Sequence, residues 1–172
     1  MITFELCTSI DEQIFDRLYE DSRPILENGN FPWHLWPNVV TDEARKAHIR
    51  KSFQNVLDKG LCWLVRTDGY PVLLCVGTIQ GDLIKWALGL SGLDLSGSRA
   101  WLYDPTYASS RDAFWDAIGV RGWIMSEAAK NRDIINHVAY KNEQGEVRAN
   151  VQFVESATPG FIDIIVTKAV AE

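Results

Sequence analysis

The alternation of apolar and polar residues over Ile2 to Cys7 predicts a first or edge strand. Ser9 followed by Glu12 has the form of a capping box. It opens a helix carrying Ile14, Phe15, Leu18 and Ile25 at helical spacing, and Pro24 breaks or bends that helix near its end. The stretch 28-NGNFPWHLWPNVV-40 reads as a loop with two prolines and two tryptophans. Thr41 then caps a second helix with Asp42 and Glu43 in its first turn, running to about Asp58, and Gly60 is placed to end it.

From Leu61 the period becomes that of strands. LCWLVRT and YPVLLCVGTIQ flank Asp68-Gly69, a dipeptide suited to a two-residue type I′ turn. A regular hairpin on that turn pairs Cys62 with Cys75, Leu64 with Leu73 and Val65 with Val72, and puts Pro71 in a non-hydrogen-bonded pair where a missing N–H does least harm. Cysteines so opposed are close enough for a strained disulfide, although a reducing compartment favours two reduced core thiols. A second turn at Gly81-Asp82 pairs Gly77 with Trp86 and Ile79 with Ile84. The result is a three-stranded antiparallel meander from Leu61 to about Leu90. Its two faces, Cys62, Leu64, Leu73 and Cys75 against Trp63, Val65, Val72 and Leu74, are both apolar, so the sheet is expected to be covered on both sides.

The C-terminal half is less regular. Residues 91-SGLDLSGS-98 form a Gly/Ser loop and Arg99–Tyr103 reads as another strand. Ser109 or Ser110 caps a helix of about 20 residues with Phe114, Ile118, Trp123, Ile124 and Ala128 as its apolar positions and Glu127 as a solvated one. Gly119 and Gly122 fall inside it at a cost of about 1 kcal/mol each relative to Ala, so a bend or a helix start near them is the alternative. Ile134–Tyr140 reads as a strand, Glu146–Glu155 is ambiguous, and Phe161–Thr167 reads as a final strand. No repeat or linker interrupts the chain, so residues 1–172 are expected to form a single domain.

Composition narrows the classes. The chain is 47% hydrophobic and 23% charged, the profile of a packed globule. Seventeen Lys and Arg against 23 Asp and Glu give a formal charge of −6, which disfavours nucleic-acid binding by charge. The nearest basic cluster, 45-RKAHIRK-51, reads as a solvated helix face. The longest apolar run, Val72 to Ile79, falls far short of the ~20 residues that span a bilayer. The N-terminus has no basic-then-apolar secretory pattern, so the expected location is a cytoplasm, or a particle packaged from one. Three cysteines without a CxxC pair, and no histidine at zinc-ligand spacing, argue against a structural metal site. Seven tryptophans are the oddity; such rings serve cores and interfaces alike.

The order strand, helix, helix, meander, helix, strand, ambiguous segment, strand resembles the GNAT family of N-acetyltransferases. Further along, Ile134–Tyr140 is followed by Asn142, Val151, Phe153 and Val154 are placed for a short helix, and Pro159-Gly160-Phe161 precedes IDIIVTK. The resemblance implies an α+β (α/β) fold with a mixed, mostly antiparallel sheet of six or seven strands and helices on both faces. It also implies acyl-CoA-dependent N-acyl transfer to an amine, with acetyl-CoA as the cofactor. One departure matters: the family's Arg/Gln-x-x-Gly-x-Gly/Ala turn, which holds the diphosphate at a helix N-terminus, is absent. The nearest string, Gly119-Val120-Arg121-Gly122-Trp123, has a bulky Trp where a small residue belongs. The site is therefore either rebuilt, with Arg121, Gly122 and Asn142 as cofactor contacts, or lost, with no cofactor.

The family's usual acid, a tyrosine on the last short helix, falls near Phe153, which has no proton to give. His137 and Tyr140 on the preceding strand are the substitutes, against a plain structural role for His137. Phe31, Trp33, His34 and Trp36 form the candidate substrate or partner loop, because the connection between the first two helices borders the acceptor pocket in this family; the alternative is a loop folded over its own core. A looser resemblance, carried by Cys62-Trp63, Gly69-Tyr70-Pro71 and Lys85-Trp86, is to GNAT-like internal virion and accessory proteins of short-tailed phages. It implies a non-catalytic protein that assembles with itself or a protein partner through the aromatic loop.

Overall fold

The computed structural model describes residues 1–27, 31–92, 101, 104–132 and 149–168. The N-terminal elements follow the apolar periodicity. Strand β1 (Ile2–Cys7) leads to helix α1 (Glu12–Ile25), whose cap is Asp11 rather than Ser9: the Asp11 carboxylate accepts from the Ile14 N–H at 3.0 Å. Pro24 sits one residue before the helix ends. Helix α2 (Asp42–Leu57) starts as expected, with the Thr41 hydroxyl accepting from Ala44 N–H at 3.1 Å. The basic residues of α2 do not simply face solvent. Lys46 pairs with Asp16 at 3.0 Å and Arg50 pairs with Glu12, both on α1.

Strands β2 (Leu61–Thr67), β3 (Tyr70–Gln80) and β4 (Leu83–Ser91) form the meander. Asp68 and Gly69 have φ of 49° and 85°, the two positive values a type I′ turn needs. Next to the turn the register is regular, Thr67 with Tyr70 and Arg66 with Pro71. A bulge then intervenes, and Val65 pairs with Leu73, Leu64 with Leu74, Trp63 with Cys75 and Cys62 with Val76. Val72 is the extra residue, following a proline that cannot donate to the ladder. A one-residue slip exchanges the faces of a strand. Cys62, Leu64, Leu74 and Val76 therefore share one core cluster, while Cys75 lies opposite Trp63. The predicted pairing of Cys62 with Cys75 does not form, and all three cysteines are reduced thiols.

The long C-terminal helix is instead a shorter helix and a strand. Helix α3 (Ala108–Ile118) ends at Gly119, whose φ of 74° is the left-handed cap that stops helices. Strand β5 (Gly122–Ala128) follows, so Trp123, Met125 and Glu127 are buried at period two. Glu127 is thus a buried strand residue, not a solvated helical one, and its carboxylate accepts from the Ala128 N–H at 2.9 Å. The ambiguous segment is strand β6 (Ala149–Glu155), which places Val151, Phe153 and Val154 on a strand rather than a short helix. Strand β7 (Phe161–Lys168) matches its prediction. The expected strand at Ile134–Tyr140 lies outside the described residues. So does Arg99–Tyr103, apart from Trp101, which is helical.

The seven strands form one sheet in the order β1-β2-β3-β4-β5-β7-β6. β5 with β7 and β6 with β7 are antiparallel over seven residue pairs each, whereas β4 with β5 is parallel over three, Leu83–Lys85 against Gly122–Ile124. The sheet is mixed and mostly antiparallel, as the family resemblance implied. The chain divides into two compact units, one of Met1, Thr3–Gly77 and Leu88–Ser98, the other of Ile2, Thr78–Ala87 and Arg99–Glu172. The first is built around Phe15, Leu18, Ile49, Phe53 and the inward face of β2 and β3. The second is built around three tryptophans: Trp123 of β5 meets Trp115 of α3 edge-to-face at 4.9 Å and Trp101 at 5.5 Å.

Candidate functional site

Parallel neighbouring strands require a crossover connection, and here it carries α3. The segment 92–107 leads from the end of β4 into α3, and side chains hold the backbone at both ends. At the β4 end the buried Ser22 hydroxyl, on α1, accepts from the Ser91 N–H at 2.7 Å and donates to the Ser91 carbonyl at 2.9 Å. One residue later the Gly92 N–H donates to the Val72 carbonyl at 2.8 Å. At the α3 end the Asp104 carboxylate accepts from the Thr106 N–H at 2.9 Å. The buried Arg111 donates to the carbonyls of Trp101 and Asp104 at 3.0 and 2.5 Å. The N-cap residue of α3, Tyr107, makes no side-chain capping bond, and the first turn has no acidic side chain. The first turn of α3 itself thus carries no carboxylate, and the Asp104 carboxylate sits at the 3-10 turn Pro105–Tyr107 just before it.

Of the predicted site residues, the structure describes Arg121, Gly122 and the aromatic loop. Arg121 is exposed; its guanidinium pairs with Asp82, its N–H donates to the Asp82 carbonyl at 2.8 Å, and its own carbonyl accepts from Lys168 N–H at 2.9 Å. Gly122 is the first residue of β5, paired with Leu83 on one side and Thr167 on the other. A Cβ there would meet the Val166 carbonyl oxygen at 1.9 Å, so strand packing accounts for the glycine. His137, Tyr140 and Asn142 lie outside the described residues.

The aromatic loop folds into a stacked group. Trp33 opens a single 3-10 turn, Trp33–Leu35, and its indole N–H donates to the Leu26 carbonyl at 2.9 Å. Phe31 lies 4.6 Å from Trp33 and 5.8 Å from Trp36, and Trp36 lies 4.5 Å from the His48 ring of α2. The Arg45 guanidinium covers Trp33 at 4.8 Å, a cation–π contact. Phe31 and Trp33 pack on the first unit's core, while His34 and Leu35 are exposed. The Nε2 atom of His48 is buried with no hydrogen-bond partner among the described residues. The loop is thus folded onto its own core with one exposed corner. His48 joins it because its position on α2 is one turn from Arg45.

Sequence reasoning missed Ser22, Ser91 and Arg111. A serine in an amphipathic helix and an arginine in a polar first turn carry no local signal; what reveals them is the carbonyl each one reaches. Replacing Ser22 with Ala leaves the buried Ser91 N–H without its acceptor. The expected cost is about 1–3 kcal/mol in urea unfolding, because a buried orphan donor keeps its full desolvation penalty. A Ser22→Ala chain as stable as the parent would show that this anchor contributes nothing.

No protein-family model and no curated protein matches the sequence. Solved structures do match over nearly the whole chain. The ribosomal-protein alpha-N-acetyltransferase RimL, in complex with coenzyme A, superposes with a TM-score of 0.58 at 12% identity, covering 99% of this chain and 96% of that one. The N-acetyltransferase PseH of Campylobacter jejuni, in complex with acetyl coenzyme A, gives 0.52 at 11% identity, covering 99% and 100%. A Bacillus subtilis acetyltransferase in complex with CoA gives 0.53 at 7% identity, covering 99% and 100%. Taken with the strand order, these likenesses show that the chain has the GNAT fold.

Proposed function

We propose that this chain is an acyl-CoA-dependent N-acyltransferase that carries the acyl group of acetyl-CoA to an amine, with residues 1–172 acting as one domain. The observation that carries the reading is the parallel pair β4 and β5, three residues long, joined through α3 in an otherwise antiparallel sheet. The solved structures of this fold that bind CoA or acetyl-CoA support it.

The residues at the start of α3 suit the diphosphate of such a cofactor. The Tyr107 side chain makes no capping bond, the first turn carries no acidic residue, and Arg111 with Asp104 holds the preceding backbone in place. Arg121 and Gly122 are occupied by Asp82 and by the β5 ladder, so in this reading the diphosphate falls to the segment before α3, with Asn142 as a further contact. The cofactor supplies an activated thioester. The chain's own residues orient it and manage protons: His137 and Tyr140 take the proton from the amine and return one to the leaving sulfur. Phe31, Trp33, His34 and Trp36 border the entry of the amine, giving an apolar surface with one polar corner. Calorimetric titration with acetyl-CoA tests the reading, with binding expected in the range of about 1 μM to 1 mM.

A further inference from the structure

Edge strand β1 holds one thiol against another. Two contacts run in opposite chain directions between β1 and β2, the Met1 carbonyl accepting from Asp68 N–H at 2.8 Å and Glu5 pairing with Arg66 at 3.1 Å, and Cys7 packs against the core cluster that contains Cys62. The strands therefore run antiparallel, and six residues along each from Met1 and Asp68 the count brings Cys7 to Cys62. Residues so opposed stand about 4.5–5.5 Å apart at Cα, inside the roughly 4.4–6.8 Å that a disulfide spans. Cys7 is half-buried on the strand at the end of the sheet, and Cys62 is fully buried behind it.

We propose that Cys7 and Cys62 form a redox-modification site, in which a peroxide converts the pair into a disulfide that ties β1 to β2. The Cys7 thiolate attacks one oxygen of hydrogen peroxide, giving a sulfenic acid and hydroxide. The Cys62 sulfur then displaces the sulfenic oxygen, which leaves as water with the Cys62 proton, and the S–S bond forms. The two thiols are oxidised by two electrons in all, and the peroxide is reduced to water.

The environments of the two sulfurs set their roles. The hydrogen bond from Cys62 holds the Cys7 thiol below its ordinary pKa, assisted by Arg66 and opposed by burial and by Glu5. Cys62 is pushed strongly upward, first by that hydrogen bond and then by burial, so it keeps its proton until the second step. Cys7 is the accessible nucleophile and Cys62 the resolving thiol. Cys75 lies opposite Trp63, outside the cluster that holds Cys62.

The experiment uses the full chain, exposed to a small excess of hydrogen peroxide, denatured, alkylated with N-ethylmaleimide, digested and read by mass spectrometry. The expected result is joint loss of the Cys7 and Cys62 thiols, a peptide linking them, alkylation of Cys75, and full recovery with dithiothreitol. In the untreated native chain, Cys7 should alkylate at least about tenfold faster than Cys62 or Cys75. Cys7→Ser should yield no linked peptide, and as a conservative change on an edge strand it should leave the far-UV spectrum unchanged. A linked peptide containing Cys75, or a Cys7 sulfinic acid accumulating beside a still-alkylatable Cys62, would overturn the proposal.

Discussion

Gly122→Ala is expected to cost about 3 kcal/mol or more, enough to consume much of the stability of an ordinary domain. The added Cβ would fall 1.9 Å from the Val166 carbonyl oxygen and 2.8 Å from the Thr167 Cα. Both are backbone atoms of the paired strand, so no side chain can swing aside. Relief requires β5 and β7 to separate where their ladder begins, at Gly122 opposite Thr167. Gly119→Ala is the control. Its φ of 74° strains any other residue, yet a Cβ there meets nothing within 4 Å. It should cost about 1–2 kcal/mol, the usual penalty of a left-handed residue. Urea unfolding followed by circular dichroism separates the two, and equal losses would mean that β5 and β7 do not pack as described.

Trp123→Ala is expected to be next in size, at about 3–5 kcal/mol. The ring is fully buried, and it holds Trp115 and Trp101 together at 4.9 and 5.5 Å. Trp101 in turn meets Phe114 at 5.5 Å, so the hole would open at the meeting point of α3 and β5. Trp123→Phe should lose much less. It keeps an aromatic ring, and the indole N–H it removes has no partner among the described residues. Thermal unfolding of the two variants gives the comparison; an Ala variant no worse than the Phe variant would contradict a core organised by this ring.

The readable parts of the sequence were those whose signal is local. Thr41 before Asp42 and Glu43 marks a helix start because capping is a matter of three residues, and Asp68-Gly69 marks its turn because only certain residues accept two positive φ values. The alternation in Phe161–Lys168 is likewise visible without the rest of the fold. What failed depended on distant partners. The bulge after Pro71 is a choice between registers, and it moved Cys75 away from Cys62. Gly119 to Ala128 was misread because an apolar run near a helix fits period two and period 3.6 almost equally, and only the β4 and β7 neighbours decide between them. The site was the least legible. Ser22 and Arg111 act through carbonyls 69 and 10 residues away, and no local pattern shows that Arg121 pairs with Asp82 or that Gly122 opens the ladder with β7.

Titration calorimetry with acetyl-CoA tests the central claim most directly, with the parent chain and coenzyme A in parallel. The account predicts saturable one-to-one binding with a Kd between about 1 μM and 1 mM, competed by coenzyme A. No heat of binding at millimolar acetyl-CoA, from a chain shown to be folded by circular dichroism, would contradict it and leave a non-catalytic protein of the same fold.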